Sequence, residues 1–171
     1  MAVNISPMQF QRPGFFASIE QVLASSGLRP ALLELELTES VLMESAEQAI
    51  QALKHLRALG VQIALDDFGT GFSSLSYLKR LPINRIKIDR SFVRDVISDR
   101  HDAAIIEGVV AMAGKMGLEV LVEGVETAEQ FGYLLKRHCD YYQGYFFARP
   151  MPLGALREFL HQPPAVITSL C

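Results

Sequence analysis

Val61-Gln62-Ile63-Ala64-Leu65-Asp66-Asp67-Phe68-Gly69-Thr70-Gly71 is the stretch on which the fold of this chain turns. Apolar Ile63 and Leu65 alternate with Gln62 and Asp66, the period of a half-buried strand, and glycines follow the two carboxylates at once. One face of such a strand can pack on helices while the other carries charge. Four further runs repeat the pattern. Asn4 lies in Val3-Asn4-Ile5-Ser6, and Glu36 in Leu33-Glu34-Leu35-Glu36-Leu37. Lys87 and Asp89 lie in Arg85-Ile86-Lys87-Ile88-Asp89, and Glu123 closes Glu119-Val120-Leu121-Val122-Glu123. A lone Asp-Asp pair is ordinarily a solvated turn. Strand ends that repeatedly carry metal-ligand chemistry make a candidate site.

Helix-period stretches separate these runs. Phe15, Ile19, Val22 and Leu23 are spaced for a helix over residues 14–26, with Gly27 at its C-cap. Ser45-Ala46-Glu47-Gln48 reads as a capping box opening a helix whose Ile50, Leu53, Leu56 and Leu59 form one stripe, stopped by Gly60. Helices are also expected near residues 74–80, over about 102–116, after the capping box Thr127-Ala128-Glu129-Gln130, and over 153–160. Strands are expected over residues 2–6, 32–38, 61–66, 84–89, 118–122 and 141–147.

Strict alternation of strand and helix implies a parallel sheet with right-handed crossovers. Doubly wound sheets bury both faces, and their strands read as continuous apolar runs. The polar face kept by these strands suits instead a barrel with a polar interior and its site at the C-terminal strand ends. Complete barrels of this kind have eight strands in about 250 residues. This chain of 171 residues begins in strand-like sequence at Met1-Ala2-Val3-Asn4. The expectation is therefore an α/β fold, a (β/α) TIM-like barrel truncated at its N-terminus to about six of eight strands. Residues 1–162 would form the partial barrel and residues 163–171, with Pro163-Pro164, a tail. An open barrel leaves strand edges unpaired, so a fragment with no stable fold of its own is a competing expectation.

Composition narrows the function. Hydrophobic residues make up 50% of the chain, enough for a sizeable core, and the formal net charge of -3 argues against DNA binding. Cys139 and Cys171 lack metal-ligand spacing and read as reduced thiols. The longest apolar runs fall far short of the roughly 20 residues that span a bilayer, and no signal-peptide pattern opens the chain. A cytoplasmic chain is expected, in a parent protein that can be anchored to the inner membrane.

Two unit charges about 4 Å apart repel by roughly 4 kcal/mol at an effective dielectric near 20. Glu36, Asp66, Asp67 and Glu123 gathered in one barrel mouth would need raised pKa values or bound cations to relieve that repulsion. Oxygen donors, with Asn4 as a neutral carbonyl, suit Mg²⁺ or Mn²⁺ rather than zinc. The Asp66-Asp67 pair suggests two ions bridged by one carboxylate, the arrangement of phosphodiester-cleaving sites. Lys87 is suited to hold the attacking water or a phosphate oxygen. Gly69-Thr70-Gly71 suggests a mobile catalytic loop, since Ser74 breaks the dinucleotide fingerprint. The blander readings are a buried Lys87–Asp89 ion pair, a structural Glu34, and Tyr141 and Tyr142 as barrel packing. His55, His101, His138 and His161 stand apart from any partner motif.

Glu36-Leu37-Thr38-Glu39-Ser40, Asp66-Asp67-Phe68-Gly69-Thr70-Gly71, Lys87-Ile88-Asp89, Val122-Glu123-Gly124-Val125-Glu126-Thr127 and Gln143-Gly144-Tyr145-Phe146-Phe147 follow one another in order. Together they resemble the EAL domain, the bacterial phosphodiesterase that opens cyclic di-GMP to linear pGpG. The resemblance runs from Val3 to about Leu160. It implies Asn4, Glu36 and Asp66 as ligands of one Mg²⁺ or Mn²⁺, and Asp66, Asp67 and Glu123 as ligands of a second. It implies Lys87 as the group orienting the attacking water. Glu39 would brace the loop over residues 67–74, which includes Gly69, Thr70 and Gly71 and in the family contributes to dimerisation. Asp89, Glu126 and Gln143 would line the site as supporting polar groups. Cyclic di-GMP is the implied ligand, a homodimer the implied assembly of the complete domain, and sensory or GGDEF-type domains the implied upstream neighbours. The Glu-Ala-Leu segment that names the family, and supplies a further metal ligand, is expected upstream of Met1. Impaired hydrolysis by this chain follows, with a non-catalytic cyclic di-GMP receptor as the alternative.

Overall fold

The structure, a computed structural model, describes residues 1–43, 47–70 and 75–161. Strands β1 (Ala2–Asn4), β2 (Glu34–Thr38), β3 (Gln62–Phe68), β4 (Arg85–Ile88), β5 (Glu119–Val122) and β6 (Tyr141–Tyr142) form one sheet in sequence order. Every neighbouring pair is parallel. Helices α1 (Pro7–Phe10) and α2 (Phe15–Ser26) follow β1, and α3 (Glu39–Met43) and α4 (Glu47–Ala58) follow β2. Then come α5 (Leu75–Leu78) after β3, α6 (Arg90–Arg94) and α7 (Arg100–Met116) after β4, α8 (Ala128–Leu135) after β5, and α9 (Leu153–His161) after β6. The six strands curl into part of a TIM-like barrel, as the alternation implied.

The two faces of the strands part as the sequence pattern requires. Leu35, Leu37, Ile63, Leu65, Ile86, Ile88, Val120 and Val122 are at most 2% exposed and join Leu53, Leu56, Ile106 and Leu134 of the helices in one core. Burying each such side chain is worth about 1.5–3 kcal/mol. The opposite face carries Glu34, Glu36, Asp66 and Lys87, all buried and all polar.

Several elements differ from expectation for local reasons. Residues 30–32 form a 3-10 turn, so β2 starts at Glu34. Three short helices go beyond the expected set. Ser6 and Gln9 build a capping box around Pro7 for α1, Asp89 caps α6, and α3 opens on Glu39 directly after β2. The expected capping box at Ser45 lies outside the described residues. Leu59 falls past the end of α4 and is 44% exposed, unlike the buried Ile50, Leu53 and Leu56. The strand expected over residues 141–147 stops at Tyr142. There the chain turns, with the Phe147 and Ala148 amides donating to the Gly144 carbonyl, and Phe146 and Phe147 pack on Phe131.

Gly144 makes that turn possible, because a Cβ there would collide with the backbone of Val125. Gly144→Ala is expected to destabilise the fold by about 1–3 kcal/mol or more. Gly108→Ala, at an open position within α7, is expected to stabilise it by about 0.5–1 kcal/mol. Urea unfolding of both variants checks the pair.

Candidate functional site

Period-two alternation places Glu36 of β2, Asp66 of β3 and Lys87 of β4 on the inner face, and Glu123 follows β5 directly. The Lys87 Nζ donates to Glu36 Oε2 at 2.9 Å, Asp66 Oδ1 at 2.9 Å and Glu123 Oε1 at 2.7 Å. Its side chain is only 4% exposed. Burial by itself would lower the lysine pKa, but hydrogen bonds to Glu123, Asp66 and Glu36 outweigh it and hold the ammonium charged. Burial raises the Glu123 carboxyl, and the Asp66 and Glu36 charges add to that against the opposing pull of Lys87. The Glu123 shift is thus set first by burial, which one lysine shared among three carboxylates does not offset.

A β-bulge shapes the Asp66-Asp67 pair. Leu65 pairs with Ile86 but Phe68 with Ile88, so β3 carries one more residue than β4 across this interval. Asp67 takes a left-handed φ of 54°, and its amide donates to Asp66 Oδ1 at 3.1 Å. Regular alternation would send the two side chains to opposite faces. The bulge instead leaves Asp67 within electrostatic reach of Asp66, Asp89, Lys87 and Glu39. Burial first, then Asp66 and Asp89, raise its carboxyl above the ordinary range.

The start of the following loop is held from two sides. Glu39 Oε1 accepts from the Gly69 amide at 3.0 Å, and a Cβ on Gly69, whose φ is 94°, would press on the Phe92 ring at 3.0 Å. The Thr70 hydroxyl donates to the Asp67 carbonyl at 2.8 Å. Gly71 and the rest of the loop lie outside the described residues. Asn4 is the register partner of Glu36, and the Ile5 amide donates to the Glu36 carbonyl at 2.9 Å. Asp89 does not pair with Lys87. Its Oδ1 caps α6 by accepting from Ser91 N at 2.9 Å. Together with Arg90, Arg94, Glu126 and Gln130, Asp89 lines a cavity of about 490 Å³ beside the cluster. Gln143 acts through its backbone, donating to Val122 O at 2.8 Å and accepting from Val125 N at 3.1 Å, which ties β6 to the turn after Glu123.

Arg85 escaped the sequence reading. It pairs with Glu34 at 2.6 Å and Glu119 at 2.8 Å beneath the cluster. The available signal was spacing, since Arg85 and Glu34 precede Lys87 and Glu36 by two residues on the same faces.

As it stands, no group of three or more histidines, cysteines or carboxylates among the described residues is arranged to hold a metal ion. The common focus of Glu36, Asp66 and Glu123 is taken by the Lys87 ammonium. The donor chemistry nonetheless fits a hard divalent cation: all donors are oxygens, and one ammonium leaves the three carboxylates net negative.

Removing that ammonium would leave buried carboxylates facing one another. Lys87→Met is expected to destabilise the metal-free chain by about 3–5 kcal/mol, lowering Tm by roughly 10 °C. Millimolar Mn²⁺ should recover part of the loss, and an unchanged circular-dichroism melt would show that Lys87 does not hold the cluster. Asp67 gives a pH test. A carboxyl whose pKa is raised by folding supports stability below about pH 4 and loses that support as pH rises through the raised value. Asp67→Asn, which tolerates the left-handed backbone, should therefore raise Tm of the metal-free chain near pH 7 and leave it unchanged below about pH 4.

Comparison with known proteins is consistent with this arrangement. The family described as "EAL domain" matches residues 1–150. The chain is 46% identical over 160 residues to the "Cyclic di-GMP phosphodiesterase NbdA" of Pseudomonas aeruginosa, spanning 94% of this chain and 20% of that protein. It thus covers about a fifth of the length of that curated relative. The solved "PaMucR Phosphodiesterase, c-di-GMP complex", of the P. aeruginosa protein MucR, superposes with a TM-score of 0.86 at 44% identity over 91% of this chain and 63% of that one. A manganese/cy-diGMP complex of BlrP1 from Klebsiella pneumoniae superposes with a TM-score of 0.79 at 35% identity over 87% of this chain and 38% of that one. The same relative is also solved as a calcium/cy-diGMP complex. With the family matched across residues 1–150 and the fold shared with solved members, this chain belongs to the EAL domain family.

Proposed function

We propose that this chain supplies the catalytic carboxylates of a metal-dependent phosphodiesterase that opens cyclic di-GMP to linear pGpG. The observation that carries this reading is the convergence of Glu36, Asp66 and Glu123 on one buried cationic focus, with Asp67 beside them. The proposed domain runs over residues 1–162, and the parent protein would carry further signalling domains.

In this reading Asn4, Glu36 and Asp66 would hold one ion, and Asp66, Asp67 and Glu123 the other. Bound Mg²⁺ or Mn²⁺ would supply Lewis-acid charge that activates water and neutralises the phosphate. The ammonium of Lys87, whose three N–H groups go to Glu36, Asp66 and Glu123 in the metal-free chain, would turn one of them to the attacking water or to a non-bridging phosphate oxygen once those carboxylates hold the ions. Attack of the water oxygen on phosphorus breaks the bond to one ribose 3′ oxygen, which leaves with a proton, and the ring opens. Glu39 steadies the loop that begins at Asp67 through the Gly69 amide. Asp89 and Glu126 offer polar partners along the adjoining cavity.

A specific observation favours a second reading. Lys87 fills the focus of the carboxylates, a closed arrangement that would suit a cyclic di-GMP receptor without turnover. Incubation with cyclic di-GMP and Mn²⁺ or Mg²⁺, followed by chromatography, separates the two. The proposal expects pGpG from the complete protein, a lower rate from the 171-residue chain, and loss of product in Asp66→Asn. Lys87→Ala in the metal-loaded protein should slow turnover by about 100-fold or more. Ligand binding without product would favour the receptor, and neither binding nor product would overturn both.

A further inference from the structure

The inner face of the barrel holds a second charged layer, toward the N-terminal ends of the strands. Arg85 Nη1 donates to Glu34 Oε2 at 2.6 Å, and Nη2 donates to Glu119 Oε2 at 2.8 Å. The guanidinium carbon lies 4.1 Å from the centre of the Tyr141 ring, whose hydroxyl donates to Glu119 Oε1 at 3.2 Å. These side chains come from the first residues of β2, β4, β5 and β6. Two of the three charged ones sit directly below members of the upper cluster, Glu34 below Glu36 and Arg85 below Lys87, while Glu119 precedes Glu123 by four residues. Residues two apart on a strand share a face and stand about 7 Å apart along it.

We infer that Arg85 is a positioning residue for the site above it. By engaging Glu34 and Glu119 together it fixes the spacing of β2, β4 and β5, and it keeps both lower carboxylates from competing for Lys87. The lysine is then left to Glu36, Asp66 and Glu123. β2 and β4 are not neighbours, and Arg85 reaches Glu34 across β3. The β3 residue in register with both Arg85 and Glu36 is Ala64, small enough to leave the path open. The rigid, planar guanidinium reaches Glu34 and Glu119 with two separate nitrogens, whereas a lysine ammonium would need both carboxylates drawn to one atom, as Lys87 draws its three. The buried Nε of Arg85 meets no acceptor among the described residues, so the bridge is made by the two terminal nitrogens alone.

This inference rests on the proposed function of the upper cluster, and its test separates the two. Ca²⁺ and cyclic di-GMP affinities would be measured by calorimetry, with melts by circular dichroism, for the full chain, Arg85→Met, Arg85→Lys and Glu119→Gln. Arg85→Met is expected to melt lower and to bind Ca²⁺ at least about tenfold more weakly. Arg85→Lys should recover part of the melting temperature without recovering the affinity. Glu119, 45% exposed, makes Glu119→Gln the variant expected to fold in any case, with a several-fold loss of Ca²⁺ affinity. Folded variants that bind Ca²⁺ within about twofold of the parent, as a purely structural layer would allow, overturn the inference. If the parent binds neither ligand, the proposed function fails. The positioning role is then judged by a double-mutant cycle of Arg85→Met with Lys87→Met: melting losses smaller than their sum support it, and additive losses overturn it.

Discussion

The ammonium of Lys87 is buried among the carboxylates of Glu36, Asp66 and Glu123, and its desolvation is tolerated because all three accept hydrogen bonds from it. Breaking a buried pair of this kind costs about 3–5 kcal/mol, because the remaining charges lose their compensation. The partners arrive from β2, β3 and the end of β5, so the contact exists only if those strands are parallel, in register and curled. The same contact leaves excess negative charge at the focus. Burial first, and then that excess, raise the Glu123 carboxyl beside a lysine, and an all-oxygen, net-negative focus has the donor chemistry that suits a hard divalent cation.

Much of the remaining architecture serves this constraint. Leucine, isoleucine and valine on the outer faces anchor the strands against the helices, so the inner faces are free to carry charge. The bulge in β3 adds Asp67 to the cluster at the expense of a left-handed, non-glycine backbone. Glu39 and Phe92 fix the first residues of the loop that follows. Gly124, with a φ of 73°, lies where a side chain would strike Arg90, and Gly144 lies against Val125. Both glycines therefore let the turns beyond β5 and β6 close tightly next to Glu123.

The barrel was legible because period-two alternation is a strong local signal, repeated at Leu35–Leu37, Ile63–Leu65 and Ile86–Ile88. The helix stops at Gly27 and Gly117 and the capping box at Thr127 were legible for the same reason, being written in one or two residues. What escaped was set by contacts distant in sequence. The early end of β6 depends on Gly144 meeting Val125, and the bulge depends on the register between β3 and β4. The polar residues at the strand ends were singled out from the sequence, but the sharing of one lysine among three of them was not. Pairing of Arg85 with Glu34, 51 positions away, needs the curl of the sheet and a small residue at Ala64. The Lys87–Asp89 pair was plausible from spacing, yet Asp89 is spent on the cap of α6.

Anomalous diffraction at the manganese edge, from crystals soaked in Mn²⁺, addresses the carboxylate focus most directly. The expected result is manganese bound by Asp66 with Glu36 or Glu123, and the Lys87 ammonium moved off the point those oxygens share. Manganese bound elsewhere, with Lys87 still holding all three carboxylates, would contradict a cation site at the end of these strands.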